Sequence, residues 1–393
     1  YTSGTTGRPK GCMLTHGNYR ANSDMCASAV DLGDGATIFV FLPLAHSMTR
    51  VITLFALDQG HELAYWRGDL TRVLEDVQEV RPTDLPSVPR LFEKVHQAAT
   101  SATGARRRLL DWAVARGRAA REAERAGRRL GPAARAQHAV ADRLVLRRVR
   151  DLFGGRVRMV FTGGAPIEPE ILRLFDACGI LVLEGYGLTE TGAAATMNTA
   201  SALRLGTVGR ALPGGEVRIA GDGEILVAGP HVFGGYLHDD EATAAALRDG
   251  WLHSGDLGEL DRDGFLRITG RKKDLIVTST GKNVSPAAIE NALRGTWLIS
   301  QAVVVGDRRP HLAALVTLDP EQAAGLSAEE ARAAVGREID AVNQRFAPPE
   351  RVRRFAVLDR ELSQEEGELT ATLKVRRAVV EERFAAEIDA LYG

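Results

Sequence analysis

An alternation of short apolar strands, glycine-rich turns and a helix between residues 157 and 187 constrains the fold more than any other feature. Val157–Phe161 is a predicted strand, followed at once by the turn Thr162-Gly163-Gly164-Ala165-Pro166. A predicted helix over about 168–177 leads to a second strand, Ile180–Leu183, and a second glycine-rich turn. Because strands that alternate with helices pair in parallel, we expect an α/β sheet with ligand sites beyond the carboxyl ends of its strands.

The first eleven residues are typical of a phosphate-binding loop. Glycines let the backbone approach an anion closely, while hydroxyl groups, backbone N–H groups and the charge of Lys10 can bind phosphate oxygens. The segment is not a Walker A loop, because its first two glycines are three apart and Gly11 follows the lysine. A flexible linker is the alternative interpretation. The residues assigned to the loop are Thr2, Ser3, Gly4, Thr5, Thr6, Gly7 and Lys10.

This loop stands at the start of the chain, where neither a strand nor a methionine precedes it. A phosphate-binding loop ordinarily follows a strand, so we expect the sequence to have been cut from a longer protein. If the 393 residues were the whole polypeptide, we would expect poor folding and little activity.

Composition excludes several classes of function. The 50 basic and 51 acidic residues balance, which predicts no overall attraction of the chain to nucleic acid or to a membrane. Three cysteines without metal or redox spacing suit a reducing cytosol, so a cytoplasmic location is expected. Only six of the basic residues are lysines. Because the chain favours arginine, a retained lysine indicates a position that needs a compact ammonium group, and chance is an equally weighted alternative.

Residues 104–150 contain 14 arginines and four acidic residues, with apolar side chains at helical spacing. We expect one or two amphipathic helices here. The first interpretation of the arginines is a solvated face. The second is peripheral contact with acidic lipid at the inner face of a membrane.

The remaining pattern predicts two domains. Residues 37–57 form a buried strand that leads through a loop into a helix, and residues 70–99 form two helices around a proline-bounded turn at 81–89. Residues 205–270 have the short strands and Gly/Asp turns of a small β-rich unit. A compact α+β unit follows, with Ser285 as the N-cap of its first helix and a last helix at 375–390, so the boundary is placed at 270–274.

Four separated segments, taken together, carry a family resemblance. They are YTSGTTGRPKG at 1–11, GYGLTET at 185–191, SGDLG at 254–258 and GRKKD at 270–274. Each alone has a structural explanation, such as a βα turn or a solvated linker charge. In this order they resemble the AMP-forming adenylate synthetases, which comprise acyl-CoA synthetases, luciferases and peptide-synthetase adenylation domains.

Further segments resemble bacterial long-chain fatty-acid–CoA ligases. These are VPRLFEKV at 88–95, the long helical stretch after it, and LTATLKVRR at 369–377. Leu373 stands where much of the superfamily has glycine before its C-terminal lysine, a departure that this subgroup shares. The resemblance implies an incomplete multi-layer α/β N-terminal domain over 1–270, and a mobile α+β lid over 271–393 with its hinge at 271–274.

The resemblance also implies the reaction and its residues. A fatty acid would attack ATP to form acyl-AMP with release of pyrophosphate, and CoA would then take the acyl group, as in fatty acid metabolism. A fatty acyl-AMP ligase, a carrier-loading adenylation domain or an inactive remnant are the alternatives. The resemblance assigns catalytic roles to Lys374, Glu190 and Thr189, and the binding of Mg²⁺ to Glu190 and Thr2. It places the hinge at Lys273 and the loop that admits pantetheine at Gly281. It assigns nucleotide contacts to the opening loop and to Gly163, Gly164, Ala165, Pro166, Glu184, Gly185, Tyr186, Gly187, Asp256 and Arg271. Residues 41–49, with His46, resemble the wall of an acyl tunnel, although a satisfied core histidine is the first interpretation of His46.

Overall fold

A computed structural model describes residues 1–2, 9–69, 72–100, 103–165, 167–370 and 374–393. Within it the chain divides into two units by its internal contacts. The larger unit comprises residues 12–254 and 259–267, and the smaller unit comprises residues 1–11, 255–258 and 268–393. The domain limits expected from the sequence, 1–270 and 271–393, stay a prediction.

The elements of the first two thirds of the chain follow the alternating pattern that the sequence predicts. In chain order they are α1 (His16–Ala29), β1 (Thr37–Val40), α2 (Ser47–Gln59), β2 (Glu62–Tyr65), α3 (Val73–Val80), β3 (Asp84–Ser87), α4 (Pro89–Thr100), α5 (Gly104–Arg125), α6 (Pro132–Ala141), α7 (Arg147–Asp151), β4 (Met159–Thr162), α8 (Pro169–Ala177), β5 (Leu181–Tyr186), β6 (Thr196–Met197), β7 (Arg210–Ala211), β8 (Glu216–Ile219), β9 (Glu224–Ala228), α9 (Asp240–Ala246), β10 (Leu247–Arg248), β11 (Trp251–Leu260) and β12 (Leu266–Arg271).

One sheet has the strand order β2-β1-β3-β4-β5-β6-β7. Strands β1 to β5 pair in parallel, and β6 and β7 add to its end in antiparallel. The predicted α/β class and the strand–turn–helix–strand unit at 157–183 are therefore confirmed. A second sheet, formed by β8 to β12, confirms the predicted β-rich segment.

Aromatic side chains fill the core that helices and sheet share. The ring of Phe175 on α8 stands edge-on to Phe92 of α4 at 5.2 Å and to Phe153 at 5.8 Å between centroids. All three side chains are fully buried. Burial of such large apolar surfaces is the main stabilising term of this layer.

The turn expected at 81–89 is wrong, because β3 occupies Asp84–Ser87 in the interior of the sheet. Its four residues include Pro86, which lacks the N–H of a ladder and normally argues against a central strand. The recorded register with β4 covers all four residues, whereas the register with β1 covers one pair, Ile38 with Asp84. A strand this short carries no period-2 signal, so only the neighbouring strands specify it.

The arginine-rich stretch is helical, as expected. It forms α5, and then a helix that runs from α6 through a π-helical turn at Asp142–Leu146 into α7. The buried side chains of Ala141, Leu146 and Val149 hold this second helix against the core.

The last part of the chain forms the expected α+β arrangement. Its elements are β13 (Ile276–Val277), β14 (Asn283–Val284), α10 (Pro286–Arg294), β15 (Ile299–Val305), β16 (Leu312–Leu318), α11 (Pro320–Ala323), α12 (Ala328–Asn343), β17 (Val352–Val357), α13 (Arg377–Arg383) and α14 (Ala385–Ala390). The single last helix expected at 375–390 is instead two short helices that meet at Phe384. Ser285 occupies the N-cap position of α10, but its side chain makes no capping bond.

The packing of α5 on α8 generates a test of helix-interior glycines. A Cβ atom on Gly117 of α5 would lie 2.2 Å from the carbonyl oxygen of Ala177, whereas one on Gly336 of α12 would meet only the Phe355 ring at 3.7 Å. Gly117→Ala should therefore destabilise the protein by about 1–3 kcal/mol through overpacking. Gly336→Ala should stabilise it by about 0.5–1 kcal/mol through lower backbone entropy. Denaturant unfolding followed by circular dichroism measures both, and shifts of the same sign would contradict the packing argument.

Candidate functional site

The glycine turns that follow β4 and β5 lie side by side at the carboxyl edge of the sheet. Thr162, the last residue of β4, is in register with Glu184 of β5. A Cβ atom on Gly163 would lie 3.0 Å from the carbonyl oxygen of Gly185, and Gly164 has a φ of +83°. Both positions therefore favour glycine, for close approach at the first and for a left-handed backbone at the second.

The second turn is specified even more tightly. A Cβ atom on Gly187 would lie 1.5 Å from the carbonyl oxygen of Ala193, a separation that no side chain can accept. Thr191 closes the turn, because its hydroxyl accepts a hydrogen bond from the N–H of Leu188 at 2.9 Å. Tyr186, expected to contact the nucleotide, is buried at the end of β5. Ala165 follows the first turn, and Pro166 lies outside the described residues.

Glu190 is held from two directions. Its side-chain Oε1 accepts a hydrogen bond of 2.7 Å from the hydroxyl of Tyr236, and its carbonyl oxygen accepts one of 2.8 Å from the N–H of Phe233. The rings of Phe233 and Tyr236 contact each other edge to face at 4.9 Å. Sequence reasoning missed Tyr236, because its separation of 46 positions from Glu190 leaves no local signal of the contact.

In the contact between Tyr236 and Glu190, the tyrosine hydroxyl is the hydrogen-bond donor and the carboxylate is the acceptor. Burial, together with the negative charge of Glu190, raises the pKa of Tyr236 far above its ordinary value, so its hydroxyl keeps its proton and remains a donor. Burial also raises the pKa of the Cys12 thiol to about 12, with Glu190 adding to the shift. Cys12 is therefore no thiolate at neutral pH. Thr189 begins the short 3₁₀ turn that carries Glu190.

Glu184, one of the residues expected to contact the nucleotide, is buried in β5. Burial raises its pKa from 4.5 to about 8, against the opposing effect of a hydrogen bond from the backbone N–H of Ile167. The adjacent hydroxyl of Thr162 is buried without a hydrogen-bond partner among the described residues. At neutral pH Glu184 is thus mainly a neutral acid, able to donate a hydrogen bond from its carboxyl group.

In the smaller unit, Asp256 and Arg271 form an ion pair. The Nε of Arg271 donates to Oδ1 of Asp256 at 2.5 Å, and the carboxylate is nearly buried. These two residues, both expected to contact the nucleotide, are thus brought together. Lys273, the expected hinge residue, is exposed within the 3₁₀ turn Lys272–Asp274.

Lys374 closes a hairpin whose base rests on an ion pair between buried Glu368 and half-exposed Arg360. Its N–H donates to the Thr370 hydroxyl at 3.1 Å, and its carbonyl oxygen accepts from the Thr370 N–H at 2.9 Å. Glu368, two residues before Thr370, is fully buried and accepts hydrogen bonds from both Nη atoms of Arg360, at 2.6 and 2.7 Å. These hydrogen bonds hold the pKa of Glu368 below its usual range. A charge-assisted bidentate pair gives the start of the hairpin a defined geometry.

Two further loops of the smaller unit were expected to be functional. The segment 278–285 lies at the hairpin of β13 and β14, where Gly281 has a φ of +74° and an added Cβ would meet no atom within 4 Å. At the chain start, the N–H of Lys10 donates to the Thr2 hydroxyl at 3.0 Å, and the N–H of Thr2 donates to the Lys10 carbonyl at 2.9 Å. The two ends of the opening loop therefore meet, while Ser3, Gly4, Thr5, Thr6 and Gly7 lie outside the described residues.

His46, on the stretch expected to form a tunnel wall, has a local structural role. It is the N-cap of α2, where its Nδ1 accepts from the N–H of Met48 at 3.4 Å.

Across the described ranges, no helix is long and apolar enough to cross a membrane.

Solved structures share this architecture. The adenylation domain of a carboxylate reductase from Mycobacterium chelonae matches with a TM-score of 0.77 at 24% identity, over 100% of this chain and 59% of that chain. O-succinylbenzoate CoA synthetase (MenE) from Bacillus subtilis, in complex with ATP and magnesium ion, matches with a TM-score of 0.69 at 25% identity, over 96% of this chain and 68% of that chain. The fold is that of the adenylate-forming enzymes.

The sequence comparisons identify the family. A family model described as AMP-binding enzyme matches residues 1–237, and one described as AMP-binding enzyme C-terminal domain matches residues 273–393. The chain belongs to the AMP-binding enzyme family. The long-chain-fatty-acid–CoA ligase FadD15 of Mycobacterium bovis is 42% identical over 421 residues, which are 100% of this chain and 68% of that protein.

The buried acid at the sheet edge predicts a pH dependence of stability. Between about pH 4.5 and 8 the unfolded chain ionises Glu184 while the folded chain keeps it protonated, so the stability contributed below this window is lost as pH rises through it. Glu184→Gln removes the ionisation. The variant should gain stability relative to the parent across this window, by at most about 1.4 kcal/mol per pH unit, and the gain should level off above about pH 8.

Denaturant unfolding of both proteins at pH 5 and pH 8 measures this difference. Glu122→Gln, at an exposed position on α5, is the matched control and should show no such trend. A pH-independent difference between the Glu184 variant and its parent would contradict the neutral state of this acid.

Proposed function

We propose that this protein is a long-chain fatty-acid–CoA ligase. It activates a fatty acid with ATP to acyl-AMP, releases pyrophosphate, and passes the acyl group to CoA. The observation that carries the proposal is the 42% identity, across the whole chain, to a protein named long-chain-fatty-acid–CoA ligase. The sparse, unpaired cysteines support a cytoplasmic place for this reaction.

The first half-reaction joins two anions, so positive charge at the reacting centre is its main requirement. We assign that charge to Lys374. The hairpin that closes on Thr370 and rests on buried Glu368 supports the assignment, because it gives a flexible side chain a defined backbone origin. Asp256 would accept the hydroxyl groups of the ribose, with Arg271 as its partner.

The donor set around Glu190 fits Mg²⁺. No group of three or more His, Cys, Asp or Glu side chains that could enclose a metal occurs in the described ranges. Mg²⁺ is commonly bound through one or two carboxylates, with substrate phosphates and waters completing its shell. Oε1 of Glu190 takes the hydrogen bond from Tyr236, so Oε2 is the oxygen we assign to the ion. When bound, the ion would offset the negative charge of the phosphates.

For the second half-reaction we propose that the backbone at Lys273 acts as a hinge, and that the β13–β14 hairpin admits the pantetheine arm of CoA. The open space around Gly281 supports this assignment, since an added Cβ there would meet no atom within 4 Å. The glycine leaves room for a narrow substrate arm.

AMP release from ATP with palmitate, measured with and without CoA, tests the proposed function. We expect turnover that requires CoA and yields palmitoyl-CoA. Turnover of equal rate without CoA would indicate an acyl-AMP-forming or carrier-loading enzyme, and no AMP release with any acid of a chain-length panel would refute the proposal.

Lys374→Ala should separate the two half-reactions. Adenylation, measured by pyrophosphate release, should fall by roughly 10²–10³-fold, because a positive charge that stabilises the transition state is lost. Thioester formation from supplied acyl-AMP should be largely spared. Lys94→Ala, at an exposed position on α4, is the control and should leave both steps intact. Equal loss of both steps in the Lys374 variant would contradict the assignment of Lys374 to adenylation alone.

Tyr236→Phe tests the orientation of Glu190. Loss of a hydrogen bond to a charged group costs about 1.5–3 kcal/mol, so the apparent Mg²⁺ affinity of the ATP complex should fall about tenfold or more. Titration of Mn²⁺ into protein and ATP, followed by electron paramagnetic resonance, reports the ion directly. Tyr65→Phe, half exposed on edge strand β2, is the control. An unchanged ion affinity would show that Tyr236 does not orient the carboxylate.

A further inference from the structure

We propose that the outer face of the helix from α6 to α7 is a contact surface for a bilayer that contains anionic lipid. The surface, which we name the arginine face, consists of Val140, Arg143, Leu144, Arg147 and Arg148. It goes beyond the proposed function, because binding to lipid requires no turnover.

The direction of the face is set by the core. The helix continues through its π-helical turn, and Ala141, Leu146 and Val149 are buried in the main hydrophobic cluster. The members of the arginine face alternate along the helix with the buried positions 141, 146 and 149. All five are exposed, so the buried side of the same helix holds them towards solvent.

Apolar side chains on this face distinguish it from an ordinary solvated helix. Val140 is 51% exposed and Leu144 is 42% exposed, and both lie within one turn of Arg143. A face that combines exposed aliphatic side chains with flanking cations is what a helix in a lipid interface requires. The aliphatic part enters the headgroup region while the guanidinium groups reach the phosphates.

The charge of the face is available to a partner. Arg143 and Arg148 form no ion pair within the described ranges, and Arg147 lies 3.9 Å from Asp151 at the limit of an ion pair. By contrast Arg125 and Arg150, on either side of this face in the chain, pair with Asp176 and Asp142. The exposed guanidinium groups thus complement an anionic surface.

The side chains favour lipid over nucleic acid. Proteins that bind single strands use aromatic side chains on which bases stack, and the arginine face has none. Its centre is aliphatic instead. If the partner were the phosphate backbone of a nucleic acid, Val140 and Leu144 would remain exposed to water.

Sedimentation of the full 393-residue chain with vesicles tests the proposal. We expect binding to vesicles of phosphatidylcholine with about one third phosphatidylglycerol, and little binding to phosphatidylcholine alone. Binding should weaken as salt is raised, since the Debye length falls from about 10 Å at 0.1 M to about 3 Å at 1 M. Neutralising one arginine should weaken binding about fivefold, so R143Q/R147Q/R148Q should bind about a hundredfold more weakly.

The control R262Q/R353Q/R354Q removes the same charge from three exposed arginines elsewhere, and should bind as the parent does. V140S/L144S keeps the charge, and should lose the part of the binding that resists salt. The series of single glutamine variants provides the same measurement if a triple variant does not fold. Equal binding of both triple variants, equal binding of the parent to the two kinds of vesicle, or displacement by RNA at equal phosphate concentration would overturn the proposal.

Discussion

Parallel pairing of β4 with β5 is the constraint on which the candidate site in the larger unit depends. The register that sets Thr162 beside Glu184 also brings the two glycine turns to one edge of the sheet. Each turn then has room only for a backbone: Gly163 approaches the carbonyl of Gly185, and Gly187 approaches that of Ala193. A shift of one residue would turn every side chain of β5 to the opposite face and separate these groups.

Buried polar groups accompany this arrangement. Glu184 and the Thr162 hydroxyl are withdrawn from water next to each other, and His231 is fully buried with neither ring nitrogen bonded to a described residue. Burial lowers the pKa of His231 to about 4 and raises that of Glu184 to about 8. Both groups are therefore neutral near pH 7, as a medium of low polarity favours. Groups of this kind concentrate where a fold serves a ligand rather than its own stability.

The fold could be predicted wherever a local pattern and the tertiary structure agree. The prediction for the unit at 157–183 was correct because its hydrophobic period, its turn residues and its length all indicate one arrangement. Strand β3 was missed because Pro86 opposes it locally and only neighbouring strands specify it. The candidate site shows the same limit. Its glycines and Glu190 are visible in motifs, whereas Tyr236 enters through a contact 46 residues away along the chain.

The linear chain already specifies the family, the order of the segments and the residue types that carry charge, since these follow from its motifs. How those residues are held depends on the folded arrangement. It placed the Tyr236 hydroxyl on Glu190 and built the Lys374 hairpin on the Glu368–Arg360 pair. It also made Glu184 a neutral acid and exposed Val140 and Leu144 among arginines. The reason is physical: hydrogen bonds, desolvation and burial depend on neighbours in space, and the chain brings those neighbours together only when it folds.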